Sequence, residues 1–250
     1  MARPDATVAS LAMYPFPSLR AATDTLWSCV RRHLGWGPVG LEWSVLPPEV
    51  WQRDDVLVAQ ACGWPLVTRL FDEVAVVGAF DYDVPGARSA TYRSVIIGRD
   101  PRPLHELAET AGVVAAVNDT DSLSGWVSLQ HAWGGTPPSV VTTGSHVDSV
   151  RAVVAGRADV ASIDAVTWFH LGLQEPAAVK PLHVIGRGPR VPCLPLVTAS
   201  RFAAELPALR AALSAAVADP DIEEAVAALR IREFVPFDLA DYLPVRSLLP

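Results

Sequence analysis

Cysteine is scarce in this chain: three residues in 250, Cys29, Cys62 and Cys193. The number is odd, and there is no Cys-x-x-Cys and no Cys/His pair at the spacing of a structural zinc. Neither a disulfide framework nor a structural zinc is therefore indicated, and free thiols in a reducing compartment are expected. Charge of one sign is also missing. Lys and Arg number 20 against 27 Asp and Glu, a net charge of −7 at pH 7, and the longest like-charge clusters are pairs. No basic stripe exists to follow nucleic acid, and a net negative chain gains nothing from an anionic membrane. No apolar run approaches the roughly 20 residues of a membrane helix. The start, Met1-Ala-Arg-Pro-Asp5, places an acid where a secretory signal needs positive charge, and Tyr14-Pro15-Phe16-Pro17 breaks the short apolar stretch that follows. The chain is expected in the cytoplasm, or in the periplasm if a leader has been removed.

What is present points to a folded α/β protein. Half the residues are hydrophobic and 19% are charged, which is ample for a packed core. Strand-like and helix-like segments alternate. Thr7–Met13 reads as a first strand. Leu19–Leu34 follows at helical spacing, stopped by Gly35-Trp36-Gly37-Pro38. Val39–Leu46, Val56–Gln60, Val74–Phe80 and Ser94–Gly98 read as strands, with short helices at Pro47–Trp51 and Leu104–Ala111. Val113–Val117 is a wholly apolar strand, with a helix over Trp126–Trp133. Ser139–Thr143, Asp159–Ile163 and Leu182–Ile185 continue the strands, and Asp148–Ala155 and Asp164–Leu171 the helices. Gly186–Pro195 is rich in Gly and Pro. The tail, Pro207–Ala218 and Pro220–Arg230, is Ala-rich and helical. Alternating β and α with apolar strands predicts sheets flanked by helices.

Two strand-to-helix turns could carry chemistry. The first joins Val113–Val117 to its helix through Ser122-Leu123-Ser124-Gly125. A helix start exposes unpaired N–H groups and a partial positive charge. Two hydroxyls and a glycine beside it make a cradle for phosphate, phosphonate, sulfate or carboxylate. Equally, Ser122 or Ser124 could simply cap the helix. The absence of Lys excludes a Walker loop, and the glycine spacing is not that of a dinucleotide fingerprint. The second turn carries Ser145-His146 before a helix. An imidazole there can donate to an anion and can charge near neutral pH; Asp148 could be the N-cap. Neither turn calls for a metal or a cofactor.

In order along the chain, Ser122-Leu123-Ser124-Gly125, Ser145-His146 and Gly156-Arg157-Ala158-Asp159-Val160 resemble the motifs of the phosphonate-binding (PhnD-like) family of ABC-transporter solute-binding proteins. Ala9–Tyr14, Gln60-Ala61-Cys62-Gly63-Trp64-Pro65, Pro192-Cys193-Leu194-Pro195-Leu196-Val197 and Asp241-Tyr242 fit the same pattern. The Thr usual between the two serines is Leu123 here.

The resemblance implies a two-lobed type II periplasmic-binding-protein-like fold. Each lobe would be a mostly parallel sheet flanked by helices, and the ligand would sit in a cleft that closes by a hinge. It assigns 1–82 and 188–250 to a discontinuous first lobe and 83–187 to the second, with segments near Val76–Phe80 and Leu182–Ile185 crossing between them. Ser122, Ser124, Gly125 and His146 would face the ligand from the second lobe, and Tyr14, Gln60 and Trp64 from the first. Asp164 either lines the site, meeting an amine or hydroxyl of the ligand, or caps the next helix. The function implied is binding of a small anionic solute, phosphate- or phosphonate-like or a carboxylate, as a solute-binding or sensor protein. If the chain is exported, an ABC permease is the implied partner; nucleic acid and membrane insertion are not expected. The alternative is a cytosolic enzyme on the same fold, similar to chorismate dehydratase or the thiamine-pyrimidine synthases, with His146 and Asp164 as its acid–base candidates.

Overall fold

The computed structural model describes residues 6–249; the reading of the first five residues as unlike an export signal lies outside them. Ten strands form among the described residues: β1 (Val8–Ser10), β2 (Val56–Gln60), β3 (Val74–Tyr82), β4 (Thr91–Gly98), β5 (Val114–Val117), β6 (Ser139–Thr142), β7 (Val160–Ile163), β8 (His183–Pro192), β9 (Pro195–Ala199) and β10 (Ile231–Val235). They build two five-stranded sheets. The chain groups into two compact units, one of residues 6–83, 88–90 and 192–243, the other of 84–87, 91–191 and 244–249. Among the described residues no helix is long and apolar enough to cross a membrane.

The first unit carries the sheet β1-β2-β9-β3-β10. Every residue of β2 is buried, as befits an apolar strand flanked on both sides. The Arg20–Leu34 helix turns Leu26, Trp27, Val30 and Leu34 inward and ends at Gly35, whose φ of 78° is the left-handed stop that glycine takes most easily. It rests on the Leu206–Val217 helix. The sheet is not mostly parallel. Only β1 and β2 run parallel, while β9 is antiparallel to β2 and β3, and β10 to β3. The physical reason is the chain path: β3 ends as the chain leaves the unit and β9 begins as it returns, so the adjacent pair must run in opposite directions.

Three further expectations are corrected. Val39–Leu46 forms no strand. Val39 is 81% exposed and Leu46 67%, so the ends of the segment have no core to face, and its middle is held instead by the Glu42 N bond to the Ala9 carbonyl (2.7 Å) and the Trp43 Nε1 bond to Asp24 Oδ1 (2.9 Å). Gly186 and Gly188 do not interrupt β8, because a Cβ at Gly186 would meet Leu104 at 3.2 Å and one at Gly188 would meet Ser128 at 3.0 Å; the glycines permit close approach within a strand. Val76–Phe80 lies wholly in the first unit and Leu182–Ile185 wholly in the second, and residues from 244 onward group with the second.

Gly78 sits at an irregularity in the β3–β9 register, and a Cβ there would strike the Val235 carbonyl oxygen and the Phe234 ring. Because a backbone atom cannot swing aside, Gly78→Ala should lower stability by about 2 kcal/mol. Urea unfolding checks this; an unchanged midpoint would mean that β10 shifts freely.

The second unit carries the sheet β6-β5-β7-β4-β8. Here β6, β5 and β7 are parallel and β4 is antiparallel to β7. Ile96, Leu107, Val117, Leu129 and Val160 form its core. Each of the three parallel strands runs directly into a turn and a helix. Three helix starts therefore gather at one edge of the sheet, the edge where open α/β sheets place ligands.

Candidate functional site

The β5 turn folds as the sequence anticipates, but the helix begins earlier. Leu123–Val127 opens it with a wide π-type turn, and Ser128–Trp133 continues it as α-helix. Ser122 is the N-cap: its Oγ accepts from Gly125 N at 3.0 Å. Gly125 is required by packing, because a Cβ would collide with Asn118 Oδ1 and approach Ser122 Oγ at 3.1 Å. Ser124 Oγ lies 2.8 Å from His146 Nε2, and its carbonyl accepts from Ser162 Oγ at 2.6 Å. One serine of the pair therefore caps, and the other joins the β5 and β6 turns to strand β7.

The β6 turn is stitched to the β5 turn. Thr143 N donates to the Val117 carbonyl at 2.8 Å and Gly144 N to the Asn118 carbonyl at 3.0 Å. The cap of the next helix, His146–Val154, is Ser145, which accepts from Asp148 N at 3.0 Å. Asp148 is therefore not the N-cap; it lies in the first turn and accepts from Ser145 Oγ at 2.7 Å.

His146 keeps part of its surface exposed, while its Nδ1 is buried without a well-formed hydrogen bond. Burial holds the imidazole pKa down to about 4, with the Ser162 backbone pulling weakly the other way. The ring is therefore neutral at pH 7. This corrects the expectation that it charges near neutrality: the strand-to-helix spacing placed it at the sheet edge but gave no sign of how deeply its nitrogens would sink.

Asp164 caps the third helix, Ala165–Gln174, accepting from Val166 N at 2.8 Å and Thr167 N at 3.0 Å with the same oxygen, Oδ1. This helix start is thus answered by its own carboxylate, whereas the other two are not. The N–H groups of Ser124, His146 and Val147 donate to no acceptor among the described residues. The turn segments 118–125 and 143–148 contain no Lys or Arg. An oxyanion here would meet neutral donors only: backbone N–H groups, and the Ser124 hydroxyl where His146 Nε2–H donates to its Oγ.

Tyr14, Gln60 and Trp64 belong to the first unit. Gln60, at the end of β2 and 4% exposed, donates through Nε2 to Tyr82 Oη at 2.9 Å. Tyr14 meets the Tyr82 ring edge-on at 5.8 Å. Trp64 is half-buried in the short turn of helix, Gly63–Pro65, that follows β2. Sequence reasoning missed Tyr82, which joins Tyr14 to Gln60; its place at the end of an apolar strand was the available signal. It also missed Asn118 and Ser162, which fix the β5 turn from outside the motif.

Comparison with known proteins follows from this geometry. A family profile described as "ABC transporter, phosphonate, periplasmic substrate-binding protein" matches residues 57–242. No curated protein sequence matches this chain. Among solved structures, the binding-protein component of an ABC phosphonate transporter from Pseudomonas aeruginosa is similar over 98% of this chain and 86% of its own, at 18% identity and a TM-score of 0.77. PhnD1 from Prochlorococcus marinus, solved in complex with methylphosphonate, is similar over 97% of this chain and 96% of its own, at 12% identity and a TM-score of 0.77. MatC from Rhodopseudomonas palustris, solved with bound malate, is similar over 98% and 96% at 14% identity and a TM-score of 0.61. At such identities the likeness shows the fold, an α/β architecture of two sheets with flanking helices. The family profile covers most of the chain, and with it the chain belongs to the phosphonate-binding family of periplasmic substrate-binding components of ABC transporters.

Proposed function

We propose that this protein binds a small oxyanion, with phosphonates as the first class to test, at the helix starts that follow β5 and β6, and presents it to an ABC permease. The observation that carries the reading is the Ser124–His146 bond of 2.8 Å. It joins two helix starts whose N–H groups at Ser124, His146 and Val147 are unanswered. Unanswered N–H groups at converging helix ends are a ready anion cradle. Such a cradle uses dipoles and not formal charge, so its affinity should depend weakly on salt.

The relatives' ligands, methylphosphonate and malate, share a compact head of acceptor oxygens. Leu123, where the family pattern has Thr, leaves one hydroxyl fewer for such a head. Gly125 is proposed to complete the ligand's surroundings by letting backbone come close. The acid–base candidates of the enzyme reading are poorly suited to it: His146, held to about 4 by burial, is a weak base at neutral pH, and Asp164 Oδ1 accepts two backbone N–H bonds as a helix cap. Service to a permease goes with the periplasm, the compartment in the family's description.

Isothermal calorimetry with methylphosphonate, inorganic phosphate and malate tests the binding. Saturable 1:1 heat with at least one of them is expected, accompanied by a rise in thermal midpoint. Absence of both signals for all three would overturn the proposal.

A further inference from the structure

The C-terminal turns of the Arg20–Leu34 helix hold a cluster to which the oxyanion reading gives no role. Cys29 and His33 lie four residues apart, on one face of the helix. Asp219, the N-cap of the Pro220–Ile222 turn, comes against them from the far end of the sequence. His33 Nε2 is 2.8 Å from Asp219 Oδ2, and Cys29 Sγ is 3.4 Å from the same oxygen. One donor atom from each residue falls within 4.8 Å of the other two. Tetrahedral zinc, with bonds of roughly 2.0–2.3 Å, separates its ligand atoms by roughly 3.3–3.8 Å, so the triangle needs only small adjustment.

We propose that Cys29, His33 and Asp219 form a binding site for a borderline-soft divalent cation, with Zn2+ as the reference ion. Thiolate, imidazole and carboxylate together suit zinc better than magnesium or calcium, which prefer oxygen ligands alone. The carboxylate is pre-aimed. Asp219 Oδ1 accepts from Asp221 N at 3.0 Å, which leaves Oδ2 toward the other two ligands. The last turn of a long helix also favours a cation. Solvent supplies the fourth position, since the His33 side chain is 34% exposed. On binding, the Cys29 thiol releases its proton to solvent as the zinc–sulfur bond forms, and no electron is transferred.

The cluster already has a cation of its own. Arg32 Nη2 lies 2.6 Å from Asp219 Oδ2 and 3.3 Å from Cys29 Sγ. Its side chain is 53% exposed, and Nη1 is already 3.5 Å from Asp221 Oδ2, so it can swing to that neighbour and make way. Arg32 is therefore a competitor for the site. Cys29-x-x-x-His33 is a single pair that carries no zinc signal by itself, and the third ligand lies 186 residues beyond His33, out of reach of any local spacing.

The test is a zinc titration of the whole reduced chain against a chromophoric chelator, repeated with Co2+ to read the thiolate-to-cobalt charge-transfer band. One equivalent should bind. His33→Gln should weaken binding at least tenfold, and metal-free thermal unfolding of the same variant reads separately what losing the His33–Asp219 bond does to stability. Cys29→Ser should abolish the charge-transfer band, and Arg32→Gln should tighten binding several-fold. No saturable binding by the wild type would overturn the site. So would undiminished affinity in His33→Gln, a band that survives Cys29→Ser, or weaker binding in Arg32→Gln.

Discussion

Replacing Ser122 and Ser124 together by Ala should weaken oxyanion binding by about 2–4 kcal/mol, roughly 30- to 700-fold. The two serines act differently, and the single variants should separate their effects. Ser124 carries the hydroxyl that bonds His146. Its loss removes one donor and leaves Nε2 unpaired, so the effect falls on affinity. Ser122 caps the π-opened helix through the Gly125 N–H, so its loss should also lower stability by about 1 kcal/mol. Calorimetry with methylphosphonate and urea unfolding of both single variants read the split. A double variant with wild-type affinity would place the oxyanion elsewhere. The two losses should not add fully, because both act on one turn.

Strands β2 and β5 were legible because they are almost wholly apolar. Val56–Gln60 was read from sequence with the bounds it has in the structure, and β5 begins one residue inside Val113–Val117. What escaped was set by tertiary context. Val39–Leu46 alternates like a strand, but its Val39 and Leu46 ends are exposed and no strand pairs with it. β8 runs through Gly186, Gly188, Pro189 and Pro192, residues that locally signal a loop, because Leu104 and Ser128 leave no room for a larger side chain. β10, Ile-Arg-Glu-Phe-Val, was hidden behind an Ala-rich helix and carries two exposed charged residues, as an edge strand can. The motif turns were legible as turns, since Ser-x-Ser-Gly and Ser-His stand at strand ends. Which serine caps and which bonds the histidine was not, because that depends on Ser162 and Asn118, which are set by the pairing of β5 with its neighbours.

His146 gives the second large effect, and its pH window lies well below neutrality. The free imidazole is held to about 4, against about 6.5 for an unfolded histidine. Between these values the unfolded chain binds more protons than the folded one, so stability rises with pH there. No stability is lost to this group above pH 6.5. As pH falls from 6.5 to 4, about 3 kcal/mol is lost, at roughly 1.4 kcal/mol for each pH unit of the difference. Urea unfolding at pH 7, 5 and 4 should therefore show a steeper decline for the wild type than for His146→Gln, whose amide can still bond Ser124 without titrating. Equal declines, or an imidazole proton resonance that titrates near 6.5, would contradict this. Ligand binding follows the same sign. A bound oxyanion near the ring raises its pKa, so any affinity gained by protonating His146 is full below the free value of about 4 and fades as pH rises through the liganded value. At neutral pH the histidine then works as a neutral hydrogen-bonding partner that orients the Ser124 hydroxyl. Selectivity among oxyanions would rest on where the donors point, with no net positive charge at these turns to draw anions in indiscriminately.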